Sequence, residues 1–123
     1  MVKGCFIGDS LRPDTELNPD SWRITRIWRI DWVDRAGPGQ PREWTVLDFE
    51  AEDDQADALV EALARALKAE GGWYADFRVR DDHVVVFAEK VFRYRRGDAA
   101  GRAQAVHYGE SVGVPSHQLD WPD

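Results

Sequence analysis

The chain has 123 residues, 43% hydrophobic and 32% charged, so it is long enough to bury a core and too apolar for disorder. Its formal net charge of −7 argues against generic nucleic-acid binding, which depends on a basic surface, and would repel an anionic membrane. The one cysteine, Cys5, cannot form an internal disulfide, and "MVKGCFIGDS" has no apolar run long enough for a signal peptide or membrane span, which points to a cytoplasmic protein.

Length predicts a single domain over residues 1–123. Residues 2–7 read as a short strand followed by a polar loop through Pro19. In "SWRITRIWRIDWV" (21–33), Trp22, Ile24, Trp28, Ile30 and Trp32 alternate onto one face, and Arg26 interrupts them, which suggests a bulge or an edge position. "DRAGPGQPRE" (34–43) is a hairpin loop, since its glycines and prolines break regular structure. "EWTVLDFEA" (43–51) is the partner strand, with Leu47 and Phe49 pointing one way.

The period then changes. Ala56, Leu59, Val60, Leu63 and Leu67 follow helical spacing, which predicts a helix over 54–70 with Asp53 or Asp54 as N-cap and Gly71-Gly72 as its stop. "WYADFRV" (73–79) returns to alternation, with Trp73, Ala75, Phe77 and Val79 inward. Strands over 83–88 and 90–95 follow after tight turns. A second helix starts at Asp98 and stops at Gly113, with the weak apolar face Gly101, Ala105, Tyr108 and Val112; Trp121 anchors the tail. The order β-β-β-α-β-β-β-α, dominated by hairpins, predicts an α+β two-layer sandwich: a mainly antiparallel sheet with both helices on one face.

Two short stretches imitate hydrolase motifs. Gly8-Asp9-Ser10-Leu11 matches the signature of the GDSL esterases, but serine attack needs a histidine base, and the Asp-x-x-His segment of that family is absent: Gln104 precedes His107 by three and Val114 precedes His117. The bland reading, a polar turn after the first strand, is preferred. Gly109-Glu110-Ser111-Val112-Gly113 matches a nucleophile elbow, yet it falls at a helix end instead of a strand–turn–helix junction. Asp98 of "RGD" is better explained as a helix cap. His83, His107 and His117 have no metal-ligand spacing with Cys5 or one another, and read as surface or interface residues. No catalytic residue, metal site or cofactor is predicted.

One arrangement is less bland. If Trp73, Phe77 and Val79 enter the core, Tyr74, Arg78 and Arg80 project from the other side of their strand. Arg23, Arg29, Arg93 and Arg95 are expected to share that face, where guanidinium groups and rings can stack on aromatic partners or pair with carboxylates and phosphates. The competing reading is that these arginines pair across strands with Asp31, Glu43, Asp48 and Asp76.

The stretches "GGWYADFR" (71–78), "VFRYRRGD" (91–98) and "QLDWPD" (118–123) resemble a family of short, acidic, uncharacterised proteins of high-GC bacteria, and thirteen arginines against three lysines suit that origin. The resemblance runs along the whole chain and implies no activity. The residues themselves suggest a binding or protein-interaction module that presents the arginine and aromatic face to an acidic protein or an anionic small molecule. The alternative is a small-molecule pocket, catalytic or not, lined by tryptophans between sheet and helices. A third arrangement is a homodimer that buries the sheet face.

Overall fold

The alternating segments become strands and the helical repeat becomes a helix. In the computed structural model, which describes residues 1–122, the strands are β1 (Val2–Ile7), β2 (Trp22–Asp31), β3 (Glu43–Ala51), β4 (Ala75–Val79), β5 (Asp82–Phe87) and β6 (Lys90–Arg95). They form one antiparallel sheet in the order β2-β3-β1-β4-β5-β6. Helix α1 (Ala56–Ala66) connects β3 to β4, and α2 (Ala99–Ser111) follows β6. The fold is α+β, in the predicted element order. No helix among the described residues is long and apolar enough to cross a membrane.

Strict alternation sorts the side chains into two cores. Val2, Phe6, Phe49, Phe77 and Val84 face α1 and pack on its buried stripe, which includes Leu59 and Leu63. Val85, Phe87 and Tyr94 face the other way and pack with Ala105 of α2 and with Leu119 and Trp121 of the C-terminal segment. The helices therefore lie on opposite faces of the sheet, and the expectation that they share one face is corrected. The cause is that β5 is apolar on both sides, with Val84 and Val86 under α1 and Val85 and Phe87 under α2.

Helix α2 has almost no apolar stripe and docks through small residues instead. A Cβ at Gly101 would lie 2.5 Å from Tyr94 Cβ, and one at Gly109 would lie 2.8 Å from Leu119 Cδ2. Asp98 caps this helix by accepting a hydrogen bond from the Gly101 amide at 3.0 Å, as its position predicted. Trp121 is buried as the expected anchor, and its indole N–H donates to the Tyr94 hydroxyl at 2.6 Å.

Two local departures from the sequence reading have clear causes. The register of β2 on β3 shifts between Ile24 and Arg26. Before this bulge Trp22 and Ile24 lie on the α1 side; beyond it Trp28 and Ile30 lie on the far side, so the five apolar residues do not share a face. Helix α1 ends at Ala66, short of the glycines, because the chain there pairs with the segment after β1. The Arg12 amide donates to the Ala66 carbonyl and the Lys68 amide to the Ser10 carbonyl, both at 2.8 Å. Asp53 and Asp54 fall in a 3-10 turn ahead of the helix, and neither side chain caps it.

Candidate functional site

The sheet face turned away from α1 carries a pocket of about 210 Å³. Its floor is built by alternation. Gly4 of β1 pairs with Phe77 of β4, so Cys5 and Asp76 are neighbours on this face, with Ile7 farther along β1. The walls are three indoles from separate segments: Trp44 of β3, Trp32 just beyond β2, and Trp73 just before β4. Trp44 meets Trp32 edge-to-face at 4.9 Å between ring centroids and Trp73 at 5.1 Å. Those distances lie within the favoured range for aromatic pairs, so the wall is a packed unit.

The rim is formed where the β2–β3 loop is stitched to the C-terminal segment. Gln118, itself buried, donates from Nε2 to the Arg35 carbonyl at 2.7 Å and to Gln40 Oε1 at 2.8 Å. His117 Nε2 donates to the same Arg35 carbonyl at 2.8 Å. The Arg35 guanidinium lies over the Trp32 ring at 5.3 Å and pairs with Asp120 at 2.9 Å. Tyr74, beside Trp73, donates its hydroxyl to the Gln118 carbonyl.

The polar groups of the site are held in defined states. Cys5 retains exposed surface, yet its surroundings push the thiol up; burial is the largest cause, Asp48 and Asp76 add to it, and Arg26 opposes them. The protonated thiol is a poor nucleophile. Burial also raises the Tyr74 phenol strongly, helped by Asp76 and Asp120 against Arg35 and Arg102. Asp76 Oδ2 lies 3.0 Å from His83 Nε2 and accepts its hydrogen. His83, read from the sequence as a surface or interface residue, is buried within the chain, with Tyr94 and Trp121 near-parallel to its ring at 5.8 and 6.2 Å. Among the described residues its Nδ1 and the Arg35 Nε are buried without a hydrogen-bond partner.

No family model, curated protein or solved structure matches the chain.

The expected arginine cluster is not assembled. Arg78 lies across from His83, on the side away from α1, whereas Arg93 lies across from Val84, on the α1 side, and Arg95 shares its parity. Arg23 is on the far side and pairs with Glu50 at 3.1 Å; Arg29 is on the α1 side and reaches Thr45 at 2.6 Å and Glu43 at 3.9 Å. Arg80 occupies the β4–β5 turn with φ 55° and pairs with Asp53 at 3.6 Å. Arg93 bridges Asp82 at 2.8 Å and Asp57 at 3.2 Å. The idea of four guanidinium groups from β4 and β6 on one surface fails because the β4–β5–β6 register puts β4 and β6 arginines of opposite parity on opposite faces. Cross-strand pairing also runs through Arg26–Asp48 at 2.7 Å and Arg42–Asp31 at 3.0 Å. Of the seven residues singled out in the sequence, only Tyr74 lines the pocket.

The hydrolase imitations are explained locally. Ser10 is buried in a 3-10 turn and its hydroxyl donates to the Ile7 carbonyl. Ser111 is the last residue of α2 and donates to the Tyr108 carbonyl at 2.6 Å.

Proposed function

We propose that this protein binds a small molecule in the tryptophan-walled pocket. The observation that carries the reading is the convergence of three indoles, Trp32 and Trp73 each packed on Trp44, with Asp76, Arg35 and Gln118 around one cavity. Mostly apolar walls with a few converging polar groups are the usual composition of a small-ligand site. At about 210 Å³ the pocket lies below the roughly 300–1,000 Å³ of drug-sized ligand sites, so the ligand is small. The site lies between the sheet, the β2–β3 loop and the C-terminal segment, and not between sheet and helices.

This reading is favoured over an arginine-mediated interaction module because Arg23, Arg29, Arg80 and Arg93 already hold acidic partners and are divided between faces. The test is a thermal-shift and fluorescence screen of small cations, anions and neutral compounds, repeated with Cys5→Phe, which fills the floor. Ligands that stabilise the parent chain and not the filled variant support the pocket. Stabilisation that survives filling places binding elsewhere.

A further inference from the structure

We infer that the ligand is a small organic cation, an alkylated ammonium held against the indole wall with Asp76 as its charge partner. The inference rests on the pocket reading and specifies its ligand class.

Indole faces carry the strongest cation-attracting quadrupole among side chains, and an aromatic box with one carboxylate suits an ammonium too weakly hydrated to need many hydrogen bonds. Three indoles and the Tyr74 ring line this pocket, and Asp76 stands on its floor. The protein already uses the wall this way, since the Arg35 guanidinium rests over Trp32 at 5.3 Å.

The charge balance points in the same direction. Arg35, the one cation among the pocket residues, is neutralised by Asp120 at 2.9 Å, while the second carboxylate, Asp76, is hydrogen-bonded to the His83 imidazole. The charges around two neighbouring titratable groups have the same balance. Asp48 and Asp76 outrank Arg26 at the Cys5 thiol, and Asp76 and Asp120 outrank Arg35 and Arg102 at the Tyr74 phenol. Asp76 and Asp120 outnumber Arg35 among the charged lining residues, and the net charge of −7 adds long-range attraction for cations.

The test compares choline with its neutral isostere, 3,3-dimethylbutan-1-ol, by calorimetric and tryptophan-fluorescence titration of the intact chain. Choline is expected to bind at least about tenfold more tightly, a difference of about 1.4 kcal/mol. Asp76→Asn, which keeps an acceptor for His83, should remove about that factor for choline and leave the alcohol unchanged. Trp32→Leu, at a half-exposed position, should weaken choline without unfolding the chain, which circular dichroism checks. If the alcohol binds equally or better and Trp32→Leu or Cys5→Phe abolishes that binding, the pocket stands and the cation inference falls. If neither compound binds, or if Asp76→Asn binds choline as the parent does, the cation inference is also overturned.

Discussion

His83 Nε2 donates to Asp76 Oδ2 at 3.0 Å and so joins the core beneath α2 to the floor of the pocket. The two residues come from adjacent strands, and the imidazole lies near-parallel to Tyr94 and Trp121. A buried side chain this well packed is structural first, and its link to Asp76 fixes the carboxylate that faces the cavity.

That relationship separates packing from hydrogen bonding. His83→Phe keeps the stacking and discards an unpartnered nitrogen, so it should cost only about 1–2 kcal/mol in a urea melt. His83→Ala leaves a cavity and should cost roughly 3–5 kcal/mol, by analogy with other ring deletions. Equal losses would mean that the Asp76 bond, and not the packing, dominates.

The sole thiol gives a pH signature. Burial and two carboxylates hold Cys5 above the ordinary thiol value of 9.0, so alkylation by iodoacetamide should be slower than for the unfolded chain at pH 8. Its rate should keep rising with pH beyond the point where the unfolded thiol levels off. The linkage has the matching sign: folding favours the protonated thiol, so the stability it supplies is present below the unfolded pKa and is lost as pH rises through the folded one. A folded-state inflection at or below that of the urea-unfolded chain would contradict the assignment.

Helix α1 should carry a large share of stability. Leu63 is fully buried, so Leu63→Ala should cost roughly 2–5 kcal/mol, whereas Glu61→Ala on the exposed side should stay within about 0.5 kcal/mol. Similar losses at both positions would mean that the helix presents a different face.

Because Arg78 and Arg93 lie on opposite faces, they should act independently. In a double-mutant cycle, Arg78→Ala and Arg93→Ala should add within about 0.5 kcal/mol. A larger coupling would revive a shared cluster.

Neither Ser10 nor Ser111 should react with a fluorophosphonate, since each hydroxyl is committed to a carbonyl three residues earlier. Labelling at Ser10 or Ser111, found by peptide mass spectrometry, would reopen the hydrolase reading.

Local patterns made much of the fold legible. The alternation in residues 43–51 put Leu47 and Phe49 on the α1 side, where they pack, and Asp98 marked the start of α2. Arg26 signalled the β2 bulge but not its result, because one extra residue inverts every side chain beyond it. The end of α1 depended on pairing with residues 10–12, far away in sequence. The pocket was hidden for the same reason. Trp32 and Trp73 lie outside their strands, and parity alone assigned Trp73 to the Phe77 side. The chain turns at Gly71 and Gly72 with φ of 97° and 72°, and Trp73 packs instead against Trp44. An unusual supply of tryptophan was the one available signal, and it could not say which rings would meet.

If Trp32, Trp44 and Trp73 form one ligand-binding wall, their indole N–H resonances report it directly. In a ¹⁵N-correlated spectrum of the labelled protein, titration with choline should shift the signals of Trp32, Trp44 and Trp73, assigned by single substitutions. Those of Trp22, buried against Phe6 and Phe49, of Trp28 across the bulge and of Trp121 beneath α2 should stay in place. Shifts confined to Trp22, Trp28 or Trp121 would contradict the wall, as would the absence of any shift with both choline and 3,3-dimethylbutan-1-ol at saturating concentration.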